Sequence, residues 1–266
     1  MKNFLVANLS SKNTTKHKDI KLMLKAQIEN SLELGWTTKN IILLTNFTFE
    51  YMGVKANKED IYDKCLTGSK MFGIKWLFDN NLVNDVIWSH DLDAWQNTEF
   101  KAPDFKDVGI TCYSTTKYNG GSIFWRKTAK DIVYKITEKI IKNTEEKEEP
   151  TLNKILKSNK YNHRVTNINN TFNVGCSGYI IRWQRSIKPI CVCHFHPNNN
   201  TAWETHALDR NGLDEKGIDD RLEKLIKRYY PKLATKLSEK GKKAQQERKE
   251  RRLKGLEIKP RKDKKK

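Results

Sequence analysis

The sequence predicts an α/β domain with a mainly parallel sheet flanked by helices, followed by a basic C-terminal tail. Three observations point there. Strand-like and helix-like segments alternate along the first two hundred residues, the pattern of a sheet wound with crossover helices. One strand segment, Ile41-Ile42-Leu43-Leu44, is wholly apolar, as expected of a strand covered on both faces. Another, Asp85-Val86-Ile87-Trp88-Ser89-His90, runs into Asp91-Leu92-Asp93. Ligands of such sheets bind beyond the carboxyl ends of the strands.

Taken in order, Phe4 to Asn8 reads as the first strand. Asp19 to Leu34 reads as a helix, with Ile20, Leu24 and Ile28 on one face and Gly35 supplying the positive-φ stop. After the Ile41 strand, Glu59 to Phe78 has helical period, with Ile61, Cys65, Phe72 and Trp76 in register. The Val86 strand, a Val108 to Tyr113 strand and Ser122 to Trp125 follow. Ala129, Ile132, Val133, Ile136 and Ile140 mark an amphipathic helix. Asn143 to Glu149 reads as a charged loop before a helix opening at Thr151. Tyr179 to Trp183 and Ile190 to Phe195 read as two late strands that complete the sheet, and from Asp219 the pattern is helical, then purely basic. The expected organisation is a domain over 1–205, a helical extension over 206–234 and a Lys/Arg-rich, partly disordered tail over 235–266.

Charge is unevenly placed. Of the 51 Lys/Arg and 32 Asp/Glu, residues 221–266 hold 20 and 6, a net +14, which leaves a body of only +5. Such a tail can contact phosphates without sequence preference, or simply be solvated. No run of about 18 apolar residues exists, and Met1 to Leu9 is too short and too soon polar for a signal peptide. Cys65, Cys112, Cys176, Cys191 and Cys193 are an odd, scattered set, which reads as reduced thiols of a cytoplasmic protein. Oligomeric state is not legible.

The chemistry begins at the aspartates. Residues i and i+2 leaving a strand project to one side, so Asp91 and Asp93 can converge on Mg²⁺ or Mn²⁺, hard cations that take carboxylates together with substrate phosphates. Cys191-Val192-Cys193-His194-Phe195-His196 offers four softer ligands, but strand alternation separates the cysteines from the histidines and matches no usual zinc spacing. The cysteines read as small core residues, and a histidine at that strand end can reach the Asp91/Asp93 cation. In Tyr118-Asn119-Gly120-Gly121, ahead of a strand, paired glycines admit a ligand or make a turn, and Asn119 can bind sugar hydroxyls or form that turn. Lys70 can meet a diphosphate or point to solvent. Glu148 and Glu149 precede a helix start, where acids are favoured whether or not they do chemistry.

The order of these motifs resembles the GT-A class of nucleotide-sugar-dependent glycosyltransferases, and within it glycogenin-type and galactosyltransferase-like enzymes. The resemblance covers roughly residues 3–203. Val6-Ala7-Asn8 is similar to the strand end that holds the nucleotide base, and Ser69-Lys70-Met71 to the family's lysine segment. Ser89-His90-Asp91-Leu92-Asp93 falls where the family has its metal-binding DxD. Tyr118 to Phe124 resembles the Phe-Asn-Ser-Gly-Val strand of the donor-sugar pocket, and Cys193-His194-Phe195 the late Val-His-Phe whose histidine binds metal. The family's Asp-Gln-x-x-Leu-Asn is here Glu148-Glu149-Pro150-Thr151-Leu152-Asn153. Its late glycine and Lys-Pro-Trp segment are here Pro197 to Trp203.

The resemblance implies a GT-A-like (Rossmann-like) fold and sugar transfer from a nucleoside-diphosphate sugar. Asp91, Asp93 and His194 would hold Mn²⁺ or Mg²⁺. Ala7, Asn8, Lys70, Asn119, Gly120 and Gly121 would line the donor, and Glu149 would orient sugar hydroxyls or act as general base. Neither sugar, nucleotide nor stereochemistry is determined. The basic tail makes DNA or another polyanion a candidate acceptor, for example a hydroxymethylated pyrimidine of a viral genome. Two other readings stand beside it: a metal-dependent phosphohydrolase or nuclease on the same carboxylates, which calls for more clustered acids, and a non-catalytic nucleic-acid binder acting through the tail, for which the strand-end aspartates are incidental.

Overall fold

The structure is a computed structural model that describes residues 1–10, 14–61, 69–114, 117–142, 148–175, 179–197, 217–231, 246 and 250. In chain order these form β1 (Lys2–Ala7), α1 (His17–Glu33), β2 (Ile41–Thr45), β3 (Glu50–Tyr51), β4 (Val54–Lys55), β5 (Asn57–Lys58), α2 (Ser69–Asp79), β6 (Ile87–His90), β7 (Ala94–Gln96), β8 (Val108–Ser114) and β9 (Lys117–Trp125). There follow α3 (Lys130–Lys142), α4 (Glu148–Leu156), β10 (Val165–Asn167), β11 (Val174–Gly175), α5 (Tyr179–Arg185), β12 (Val192–His194) and α6 (Asp220–Tyr229).

The main sheet has seven strands in the order β10-β8-β9-β6-β1-β2-β5. β1 runs parallel to β2 and β6, β2 to β5, and β8 to β10; β9 is antiparallel to both its neighbours. The parallel half follows from helical crossovers: α1 carries the chain from β1 to β2, and β5 is followed by α2 and then β6. The β8–β9 pair is a hairpin, and a short connection forces antiparallel pairing. β6, β1 and β2 are all interior strands, and Phe4, Leu5, Leu43, Ile87 and Trp88 are fully buried, which is why these segments read as near-continuous apolar runs.

α2 approaches β1 closely because residue 73 is glycine. A Cβ on Gly73 would lie 2.7 Å from Val6 Cγ2 and 3.1 Å from Phe4 Cζ, so no larger residue fits without displacing the helix. That contact sets the depth of Lys70, one turn earlier. On α3, Ile132, Val133, Ile136 and Ile140 pack into the same core as α2 and α4.

A second, three-stranded sheet, β11-β12-β7, stands at the carboxyl end of β6. Its core holds Trp95, Cys193 and Phe195 together with Leu222, Leu225 and Ile226 of α6. Trp95 Nε1 donates to the Phe195 carbonyl at 2.9 Å. α6 is capped by the Asp219 carboxylate, which accepts from Arg221 N. It is tied to α1 by Tyr229 Oη on Glu29 (2.5 Å) and Tyr230 Oη on Asp19 (3.1 Å). Among the described residues no helix is long and apolar enough to cross a membrane.

Several expectations are corrected. Tyr179 to Trp183 is helix α5, not a strand; a short apolar run fits either period. Glu59 is not helical: the chain from Asn57 pairs with β2, Glu59 N donates to Thr45 O at 2.9 Å, and the described helix opens at Ser69. Cys65 lies outside the described residues, as do Cys176 and 198–203. β12 joins the small sheet and not the main one, because it pairs with β7 beyond the Asp91–Ala94 turn. Asn119 to Gly121 lie inside β9, and Glu148 and Glu149 form the first turn of α4. Gly35 does take the left-handed conformation at the end of α1, with φ +81.

Candidate active site

Asp91 and Asp93 come together through a turn and not through strand alternation. The chain leaves β6 at His90, Ala94 N donates to Asp91 O at 2.9 Å, and β7 begins at Ala94. The turn is held on both sides, since Asp91 N donates to Gly121 O (2.9 Å) and Phe195 N to Asp93 O (2.8 Å). The second bond brings β12 alongside, so that His194 faces the aspartates. Its Nε2 lies 3.2 Å from Asp93 Oδ1 and 3.7 Å from Asp91 Oδ2. One ligand atom from each of the three lies within 4.8 Å of the others. Burial disfavours the imidazolium, yet Asp93 and Asp91 outweigh it and raise the His194 pKa. Burial works against the Asp93 carboxylate, but the His194 charge holds its pKa down at about 2.

The donor set is chemically suited to a divalent cation. The two carboxylate oxygens suit Mn²⁺ or Mg²⁺, and the imidazole nitrogen, a softer ligand, favours Mn²⁺ of the two. Space for the imidazole is reserved by Gly121, where any Cβ would overlap the His194 ring. The tools for a structural zinc site are not assembled among the described residues. Cys193 is buried with Sγ on Gly217 O at 3.1 Å, and His196 turns to Asp19 at 3.2 Å.

Lys70 does not point to solvent. Its ammonium contacts Asp91 Oδ1 (2.6 Å), Gly120 O (2.5 Å) and Glu148 Oε1 (3.5 Å). Burial opposes the charge, but Asp91 and Glu148 more than compensate and keep it protonated well above the ordinary lysine range. Glu148 is buried too. Desolvation raises its pKa to about 7 against the pull of Lys70, and Asp91 and Glu149 push the same way. One of its oxygens, Oε2, has no hydrogen-bond partner among the described residues.

These groups open onto a cavity of about 520 Å³, lined by Val6, Lys70, His90, Asp91, Gly120, Glu148 and Glu149 among others. That is the size of a small-ligand pocket. Glu149 Oε2 accepts from Gly120 N (3.3 Å) and Asn119 Nδ2 (3.5 Å). Gly120 leaves room beside Glu148 and Lys70, since a Cβ there would lie 3.8 Å from Glu148 Oε1 and 3.9 Å from Lys70 Nζ. Ala7 packs its methyl in the core with Leu5, Leu24 and Leu43 and is paired in register with Thr45 of β2. Asn8, next along, has both carboxamide atoms buried without a hydrogen-bond partner among the described residues.

Three neighbours escaped the reading of the sequence. His90 is buried beneath the turn, stacked on Trp88 at 4.0 Å between ring centres, with Nε2 against Asn3 Oδ1 and Nδ1 against the Asp91 carbonyl, both at 3.0 Å. Its burial lowers the pKa to about 4. Glu148 was legible only as an acid at a helix start. Asn173, buried between β11 and β9, lies in an asparagine-rich stretch that carried no signal.

No family model matches the chain, and no curated protein matches it in sequence. Solved structures do. A galactosyltransferase LgtC in complex with donor and acceptor sugar analogues aligns with TM-score 0.53 at 12% identity, over 92% of this chain and 100% of that one. A glycosyltransferase involved in glycosylation of the major capsid of PBCV-1 aligns with TM-score 0.45 at 13% identity, over 73% of this chain and 93% of that one. The first likeness is one of fold, and the fold is GT-A-like.

Proposed function

We propose that this protein is a metal-dependent glycosyltransferase, moving a sugar from a nucleoside-diphosphate sugar to an acceptor hydroxyl. The observation that carries the reading is the convergence of Asp91, Asp93 and His194 within 4.8 Å, with Asp91 also lining a cavity that holds a buried lysine, on a GT-A-like fold.

Asp91, Asp93 and His194 would hold Mn²⁺ or Mg²⁺, which neutralises the charge that develops on a departing diphosphate. Lys70 places a second fixed positive charge beside Asp91, already desolvated and so effective on the same oxygens. The carboxamide of Asn8, unpartnered among the described residues, suits the polar edge of a nucleobase, which would supply its hydrogen bonds. Asn119, Gly120, Glu148 and Glu149 face the sugar. In the reaction the anomeric C–O bond breaks with its electron pair on the diphosphate, and the acceptor oxygen bonds to the anomeric carbon. With inversion, Glu149 takes the acceptor proton as general base; with retention, the departing diphosphate oxygen takes it.

For the acceptor we propose a hydroxyl carried on a polyanion, with hydroxymethylated DNA the foremost case, because residues 221–266 hold 20 Lys/Arg against 6 Asp/Glu. Among the described residues one ligating group of three is present, which favours single-metal sugar transfer over a two-metal nuclease.

A panel of nucleoside-diphosphate sugars, each incubated with and without Mn²⁺, tests the donor half. Metal-dependent release of the nucleoside diphosphate is expected, and Asp93→Asn should abolish it. Undiminished release by that variant would remove the basis of the reading. Labelled sugar transferred to glycans but to no DNA would end the DNA proposal alone.

A further inference from the structure

Asn173 sits between the two halves of the site. Its carboxamide is fully buried. On one side Oδ1 lies 3.1 Å from His194 Nδ1; on the other Nδ2 donates to Asn119 Oδ1 at 2.5 Å. Asn119 Oδ1 also accepts from the backbone N–H of Gly121 at 3.0 Å.

The direction of this chain of bonds is forced from one end. A backbone N–H can only donate, so the Asn119 oxygen, and not its nitrogen, faces Gly121 and Asn173. Asn173 must then present its NH₂ to Asn119, which leaves its oxygen toward His194. His194 Nδ1 must therefore carry a hydrogen. In the neutral ring the lone pair is then on Nε2, the atom 3.2 Å from Asp93 and 3.7 Å from Asp91. That lone pair faces two carboxylates, so Nε2 takes up either a proton or a cation shared with them. The same chain turns the Asn119 NH₂ toward Glu149, which lines the cavity.

We infer that Asn173 is a positioning residue that sets, through one carboxamide, both the metal-binding tautomer of His194 and the orientation of Asn119 in the sugar pocket. Ligating histidines are commonly oriented by such an outer partner, whose loss weakens metal binding by about 10–100-fold. Here that partner is shared with the donor pocket, so ordering one half orders the other. The inference rests on the proposed metal site, but the tautomer it requires does not depend on any metal being bound.

Two substitutions divide the two roles. Asn173→Ala removes both bonds. Asn173→Asp keeps an acceptor for His194 Nδ1–H but has no donor for Asn119. Mn²⁺ binding to the full-length protein, measured calorimetrically without donor, should weaken by about 10–100-fold in Asn173→Ala and stay at the wild-type value in Asn173→Asp. In Asn173→Asp the KM for nucleoside-diphosphate sugar should rise instead. Independently of either variant, ¹⁵N NMR of histidine-labelled wild type, at a pH where His194 is neutral, should show its proton on Nδ1. A proton on Nε2, or equal Mn²⁺ affinity in wild type and Asn173→Ala, would overturn the inference. Absence of Mn²⁺ binding in the wild type would instead count against the functional reading, leaving the tautomer to be decided by NMR.

Discussion

The imidazole of His194 occupies the space where a side chain at residue 121 would begin. A Cβ built on Gly121 overlaps the ring at Cε1 and Nδ1 and lies 2.9 Å from Asn119 Oδ1. A glycine in the middle of β9 thus makes room for a residue of β12, and strand-interior glycines often mark such close approaches. Gly121→Ala should push His194 away from the aspartates while β9 keeps its pairing. Mn²⁺ affinity is expected to fall by about 10–100-fold, the scale on which ligand misorientation acts. Unchanged affinity on calorimetric titration would mean that His194 is not a ligand.

Lys70 and Glu148 form a buried pair at 3.5 Å with Asp91 beside it. Breaking such a pair from one side strands a charge and costs about 3–5 kcal/mol, whereas replacing both members with apolar groups is often close to neutral. Lys70→Met should therefore lower stability strongly in urea unfolding, and Lys70→Met/Glu148→Met should recover at least half of the loss. A double variant as unstable as the sum of the two singles would show that the pair is not coupled.

His90 makes the fold sensitive to acid. Burial holds its pKa at about 4 against an ordinary 6.5. Between these values the unfolded chain binds a proton that the folded protein does not. Stability is thus complete above about pH 6.5 and falls as pH drops toward about 4, by about 3 kcal/mol from this group. In EDTA, the His90 ring resonance should stay at its neutral position until pH approaches about 4. Titration near pH 6.5 would contradict its burial beneath the turn.

α6 belongs to the core. Leu225 is fully buried among Trp95, Cys193 and Phe195, so Leu225→Ala should cost about 2–5 kcal/mol. Deletion of 235–266 should leave the melting temperature and nucleoside-diphosphate release unchanged, and reduce only salt-sensitive binding to DNA. Loss of turnover on that deletion would place catalytic residues in the tail.

By itself the sequence determined the alternation of the main strands and helices, the Asp91-Leu92-Asp93 segment at a strand end, and, through the resemblance, that His194 rather than His196 lies beside those aspartates. These were legible because periodicity and strand-end position are local properties of a chain. Only the tertiary structure decided that Tyr179–Arg185 is a helix, since a short apolar run suits either period until something packs against it. Only the tertiary structure took Lys70 out of solvent, because its burial depends on how closely Gly73 lets α2 approach β1. Asn173 was illegible for the same reason. Its role consists of two hydrogen bonds to residues distant in the sequence, and which groups meet across β9, β11 and β12 is settled by strand pairing and not by any pattern around residue 173.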